Sequence, residues 1–171
     1  MLSKKVVAAL NGQINKEFYS AYLYVDVSNY YADLALDGFA NWYDVQAKEE
    51  LDHASLMQQY LHDNGEKVVL EPISKPALEF KDMRTGVAGV LEHEQYITAA
   101  INDVYTIAMD EKDFRTMKFL DWFIDEQREE EKNADGILRK FDLLDGKNGK
   151  NLYLLDKDLA TRTYAAPSLV L

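Results

Sequence analysis

The sequence predicts an all-α fold, a four-helix bundle with one long crossover connection and a short fifth helix near the C-terminus. Three observations carry that expectation. Apolar positions recur at alternating spacings of four and three residues over four separate stretches, the pattern of helices packed along one face. Only three prolines and eight glycines interrupt 171 residues, which favours a mostly helical globular chain over a disordered one. Between the second and third stretches, residues 66 to about 84 carry two prolines and no helical period. A connection of that length can run the full length of a bundle, which would make the second and third helices parallel.

Each element follows from its own seam. The first helix is expected over 3 to about 36, along Leu10, Ile14, Glu17, Ala21, Tyr24, Ser28, Tyr31 and Ala35. Asp37-Gly38 breaks it, with Asp37 as N-cap of the next helix. The second helix runs from about 39 to 64 on Phe39, Tyr43, Gln46, Glu50, His53, Met57, Tyr60 and Asn64, with Gly65 as the residue past its end. The third, near Thr85 to Asp110, uses Val87, Val90, Glu94, Ile97, Ile101, Val104 and Ala108; six of these seven are apolar, and Glu94 is the exception. The fourth starts at an Asp113 N-cap and ends near Leu144, before Asp145-Gly146. Its seam is Leu120, Phe123, Gln127, Glu130, Ala134, Ile137, Phe141 and Leu144. After the turn Gly146-Lys147-Asn148-Gly149, a fifth helix is expected over 151 to about 162, then an irregular tail whose apolar end, Leu169-Val170-Leu171, packs on something.

Composition bounds the function. The length suits one domain over residues 1–171 with a sizeable core. Cys is absent, which excludes a disulfide framework, a zinc ribbon and a thiolate iron site, and suits a reducing cytoplasm. The start, Met1-Leu2-Ser3-Lys4-Lys5, leads into an amphipathic pattern, so no leader is expected. No apolar run reaches the roughly 18 residues of a membrane span. The net charge of −11 argues against a nucleic-acid partner and for a protein that attracts cations.

The polar residues on the seams form a pattern. Glu50 and His53 make a Glu-x-x-His unit, and residues three apart on a helix share one face. Glu17 to Glu50 spans 33 residues, and Glu94 to Gln127 spans 33 again; Glu130 follows Gln127 by three, as His53 follows Glu50. Each of these residues lies roughly 9 to 17 positions into its helix, so at about 1.5 Å per residue all can meet near mid-bundle. No Lys or Arg lies on the four seams. Burying unpaired carboxylates costs several kcal/mol each, comparable to a whole domain's stability of about 5–15 kcal/mol. Divalent cations would balance them. Carboxylates with one imidazole suit iron or manganese, with zinc able to compete. His62 and His93 lie off the seams and read as surface or interface residues; Trp122 reads as packing. Glu49 and Asp52 are expected to be exposed beside the seam.

The chain resembles the bacterial non-haem ferritins, and so the ferritin-like di-iron carboxylate proteins, over nearly all its length. The resemblance rests on Asn15-x-Glu17-x₄-Tyr22-x-Tyr24, Glu49-Glu50-x-x-His53, Leu91-Glu92-His93-Glu94 and Phe119-Leu120-x-Trp122-Phe123-x₂-Glu126-Gln127-x-Glu129-Glu130. It implies a ferritin-like bundle whose Glu17, Glu50 and His53 hold a first iron, with Glu50 bridging to a second held by Glu94 and Glu130 beside Gln127. It implies a third site from Glu49, Glu126 and Glu129 with Glu130, and Tyr24 as electron donor to bound oxygen. It implies a ferroxidase that oxidises Fe(II) with dioxygen or hydrogen peroxide and stores Fe(III) mineral in a cytoplasmic 24-subunit shell. The neutral Gln127 would loosen the second iron and let it leave for the mineral.

Departures narrow the resemblance. The second Glu-x-x-His of bacterioferritins is Gln127-x-x-Glu130 here, and Asp52 stands where they carry a haem-binding Met, so no haem is expected. The acids of animal threefold pores are replaced by Met117 and Leu120. The alternative reading is a di-iron peroxidase or oxygenase that builds no storage cage.

Overall fold

The computed structural model describes residues 1–144 and 148–169. Five helices follow in order: α1 (Lys4–Asp33), α2 (Asp37–Asp63), α3 (Met83–Asp110), α4 (Phe114–Leu143) and α5 (Gly149–Leu159). Among the described residues there is no strand. The expected stop at Asp145-Gly146 and part of the turn that follows lie outside the described residues, as do Val170 and Leu171.

Local chemistry sets the ends. Ser3, Asp82 and Asp113 place side-chain oxygens on the backbone N–H groups of Val6, Thr85 and Thr116, each satisfying a donor the first helical turn leaves open. α3 therefore begins at Met83, two residues before the expected Thr85, because Asp82 caps it. Gly65 takes φ of 74° beyond α2 and Glu66 N–H returns to Leu61 C=O at 2.9 Å, the expected close of that helix.

α1 ends earlier than its seam suggested. Ala35 takes φ of 57°, and Leu36 N–H closes on Tyr31 C=O at 3.0 Å. The apolar period runs on through this point, but the backbone has already turned.

Asp37 is not the N-cap of α2 either. Leu36 occupies that place and offers no side-chain bond. The cap comes from elsewhere in the chain. Asp156 of α5 accepts the N–H groups of Gly38 at 2.8 Å and Phe39 at 3.0 Å. The two backbones approach so closely that a Cβ at position 38 would lie 1.7 Å from the Asp156 carbonyl oxygen, which is why a glycine stands there. α5 itself starts at Gly149, earlier than expected, because Asn148 caps it.

The core falls into two apolar clusters. One gathers Tyr24, Val27, Tyr31, Phe39, Ala47, Val90, Ala134, Ile137 and Phe141 with Leu155 and Leu159 of α5. The other gathers Val6, Leu10, Ile14, Met57, Leu61, Ile97, Ile101, Leu120 and Phe123. Along α2 and α3 the chain passes from the first cluster to the second; along α1 and α4 it passes back. α2 and α3 are therefore parallel, and residues 64–82 are the crossover between them. The crossover is anchored on α1, where Asn11 and Asn15 hydrogen-bond backbone groups of Lys67, Val69, Glu71 and Pro72.

The docking of α5 gives a first prediction. Asp156→Ala should cost about 1 kcal/mol, the usual value of a lost N-cap, and Asp156→Asn should keep most of it. The check is urea denaturation with amide exchange. Protection at Gly38 and Phe39 should fall in the alanine variant while that in mid-α3 stays as in the parent.

Candidate metal centre

Between the two apolar clusters lies a polar layer. Along α1 it falls between Ile14 and Tyr24, along α2 between Ala47 and Met57, along α3 between Val90 and Ile97, and along α4 between Phe123 and Ala134. Glu17, Glu50, His53, Glu94, Gln127 and Glu130 occupy it, none more than 4 % exposed. The four helices thus deliver their seam polar residues to one level, as the matched spacing requires.

Glu17, Glu50 and His53 each offer a ligand atom within 4.8 Å of the other two. His53 Nδ1 lies 3.5 Å from Glu50 Oε2. Gln127 Nε2 donates to Glu94 Oε2 at 3.2 Å and to the Glu94 carbonyl at 3.3 Å, which ties α4 to α3. The Tyr24 hydroxyl donates to Glu94 Oε1, and its ring stacks on Tyr43 with centroids 6.0 Å apart. A second group, His53, Glu126 and Glu130, also lies within 4.8 Å and opens outward through the half-buried Glu126.

The electrostatics follow from burial. Desolvation pushes the Glu17 carboxyl from an ordinary 4.5 up to about 8, with Glu50 adding and His53 and Gln13 opposing. Desolvation also brings Glu50, Glu94 and Glu130 to about 8 each, reinforced by Glu130 on Glu50, by Glu50 on Glu94 and by Glu94 on Glu130. Burial, and after it the Glu94 charge, holds the Tyr24 phenol well above its usual value.

Among the described residues no Lys or Arg pairs with these four carboxylates; the one ion pair inside the layer is His53 with Glu50. Glu17 Oε2 and Gln13 Oε1 are buried without a hydrogen-bond partner. An orphaned carboxylate oxygen beside a second carboxylate and an imidazole is a donor set short of an acceptor of electron pairs. A divalent cation fits it.

The remaining expected residues are less enclosed. Glu49 is half-buried, and Asp52 is partly covered; neither is open to solvent as expected. The reason is the segment after α5, which folds back over α2. Arg162 pairs with Glu49, and Tyr164 hydroxyl donates to Asp52 at 2.6 Å. Glu126 is half-buried and feels the charge of Glu129, which itself is exposed and belongs to neither ligand group.

Trp122 packs edge-on against His53 and Phe123. His62 is exposed, as expected. His93 is not: Ser20 Oγ lies 2.8 Å from its Nε2, and burial lowers its pKa to about 4.

Two amides beside the layer support it: Gln13, which sequence reasoning missed, and Gln46, which stands on the second seam but was given no role. Gln13 donates to Glu17 at 2.7 Å, and Gln46 donates to Glu50 at 3.4 Å. Both stand four positions before the acid they support, and they are themselves 33 residues apart. The repeat that brought the acids to notice therefore extends to their supports.

Residues 7–144 match the family model described as a ferritin-like domain. A probable bacterial non-heme ferritin-like protein of Haemophilus influenzae is 40% identical over 159 residues, covering 93% of this chain and 96% of that protein. A bacterial non-heme ferritin of Campylobacter jejuni is 40% identical over 157 residues, covering 92% and 93%. Among solved structures, a closed form of the Archaeoglobus fulgidus ferritin made by site-directed mutagenesis superposes with a TM-score of 0.93 at 41% identity, covering 96% of this chain and 100% of that one. An open-pore ferritin from the same archaeon gives 0.92 at 41%, covering 95% and 100%.

The raised carboxyl values set a pH prediction. A group whose pKa is higher in the folded chain than in the unfolded one stabilises fully below the unfolded value and loses that contribution as pH rises through the folded value. The metal-free protein should therefore lose thermal stability as pH rises from 4.5 through about 8. Adding a divalent metal should remove most of that slope. A melting temperature flat over this range without metal would contradict the charge picture.

Proposed function

The chain belongs to the ferritin family, and on that premise we propose that its polar layer is a di-iron ferroxidase centre serving iron storage and detoxification. The observation that carries the reading is the buried layer of four carboxylates with one imidazole and, among the described residues, no Lys or Arg paired with them. Glu17, Glu50 and His53 hold one Fe(II), and Glu50 bridges to a second held by Glu94 and Glu130 with Gln127 beside it. Glu49, Glu126 and Glu130 form the third group, with the exposed Glu129 as its outermost member. No haem takes part. The substrates are Fe(II) and dioxygen or hydrogen peroxide, and the chain assembles with copies of itself into a 24-subunit shell that holds the Fe(III) mineral. The location is cytoplasmic, in keeping with a Cys-free chain and with helices none of which, among the described residues, is long and apolar enough to cross a membrane.

The residues divide the work. Two Fe(II) ions on one bridging carboxylate supply two electrons to one oxidant molecule. Hard carboxylate oxygens favour the higher oxidation state, so the ligands themselves ease the oxidation. The carboxyl groups give up their protons when metal arrives, because the metal replaces the proton as the charge that balances them. Tyr24 keeps its proton, donates it in a hydrogen bond to Glu94, and stands ready as a one-electron donor at the edge of the layer. Gln127 holds Glu94 by a neutral amide, so the second metal position has one negative charge fewer than a Glu there would give it.

The test is an anaerobic Fe(II) titration of the purified protein, then air, then electron microscopy. Two or three Fe(II) per chain, rapid oxidation and dense cores in particles of shell size are expected. A monomer or dimer on a sizing column, oxidising Fe(II) without forming cores, would point to the peroxidase or oxygenase reading. Glu50→Ala should lose at least one tight Fe(II) equivalent and slow oxidation by roughly 100-fold or more, since it removes the bridge. Gln127→Glu should retain iron at the centre longer and slow mineral growth; equal growth with unchanged retention would refute the role given to the amide.

A further inference from the structure

The segment that follows α5 holds a cation against the third group. Asn41 Nδ2 donates to the Arg162 carbonyl at 3.0 Å and fixes the chain there. The Arg162 guanidinium lies over the Trp42 ring at 4.2 Å, donates to Gln46 Oε1 at 2.7 Å and pairs with Glu49. Gln46 in turn donates to Glu50, so one amide joins Arg162 to the polar layer. Further on, Tyr164 donates to Asp52, and Trp122 Nε1 donates to Ser168 Oγ at 3.2 Å. Residues 165–168 thereby roof a cavity of about 190 Å³ whose other walls are Glu49, Asp52, His53, Trp122 and Glu126. His53 and Glu126 of those walls belong, with Glu130, to the outward ligand group.

A guanidinium seated on a carboxylate and a divalent ion on the same carboxylate repel each other strongly where water is scarce. The Arg162 side chain keeps only 13% of its exposure and Glu49 only 21%, so solvent screens them weakly. Arg162 takes Glu49 Oε2, so a divalent ion arriving at that carboxylate meets the guanidinium charge already seated on it.

We propose that Arg162 is the resident counter-cation of Glu49, a positioning residue that a metal ion must displace to occupy the third group, and that its displacement frees residues 162–168 from α2. The proposal rests on the reading of Glu49 as a ligand of that group. Arg162 then does two things at once. It balances the charge of Glu49 before metal comes, and it couples filling of the third group to opening of the roof above it. The ions of the di-iron layer itself meet no such competitor, because Arg162 reaches that layer only through the Gln46 amide.

The experiment titrates the metal-free full-length assembly with Zn(II), which binds without redox change, by calorimetry. It follows amide exchange of residues 162–168 in parallel. Arg162→Gln should bind the third equivalent roughly tenfold more tightly, the scale of one partly buried charge pair. The first two equivalents should shift by less than about twofold. Arg162→Lys should stay near the parent, since it keeps the charge. In the parent, exchange over 162–168 should rise as the third equivalent binds and not before. A third equivalent of unchanged or weaker affinity in Arg162→Gln overturns the proposal; so does exchange that stays level through saturation in the parent, a readout that needs no variant to fold. A merely structural tether would raise exchange in Arg162→Gln without metal and leave the third affinity alone. Glu49→Gln distinguishes the role of Glu49 from that of Arg162. If the third equivalent persists without Glu49, the assignment of that residue fails and takes the proposal with it; if it needs Glu49 but ignores Arg162, only the proposal fails.

Discussion

Four carboxyl groups buried at one level of a helix bundle, with His53 beside them and no Lys or Arg paired with them among the described residues, constrain everything else in this molecule. Each is held near pKa 8 by desolvation and by its neighbours. The metal-free fold tolerates them by keeping protons on them and by surrounding them with neutral donors, Gln13, Gln46, Gln127 and Tyr24. Those donors cannot satisfy every oxygen, and Glu17 Oε2 is left without a partner. The apolar clusters above and below the layer clamp the four helices so that the ligands cannot spread apart to reach water. The site is thus preorganised by packing it does not itself contribute.

The topology follows from the same constraint. The layer needs one stripe from each of four helices at one height, and the chain enters it from one end in α1 and α4 and from the other in α2 and α3. Only a crossover as long as residues 64–82 can bring α3 in parallel to α2. α5 then closes the end of the first apolar cluster and caps α2 through Asp156. Because α5 is pinned there, the residues after it are delivered across α2 to the outer edge of the ligand layer, where Arg162 meets Glu49.

Helix number, the crossover and the six residues of the layer were legible in the sequence, because a seam of sustained 4-3 spacing has only one inward face and Glu94 interrupts an otherwise apolar one. Helix ends were less so. The first helix stops at Asp33 because Ala35 turns into the left-handed region, and no glycine or proline marks that place. The cap of α2 was invisible because Asp156 lies 118 residues from Gly38. Glu49 and Asp52 were expected in the open for the same reason: their cover comes from the tail, whose path no local period encodes. Gln13, which pairs in the repeat with Gln46 of the second seam, is the exception among the omissions. The two repeat at 33 residues just as the acids do, and the signal was there to be read. His93, off the seam, gave no hint that Ser20 and three tyrosine rings would enclose it.

The central claim is that metal, not a basic side chain, balances the charge of the buried layer. Proton release on metal binding tests it most directly, measured by calorimetry of Zn(II) binding near pH 7 in buffers of different ionisation enthalpy. Release of more than one proton per chain is expected with the first two equivalents, shrinking toward zero as the pH is raised well above about 8. Tight binding with no proton release near pH 7, or no binding at all, would contradict it.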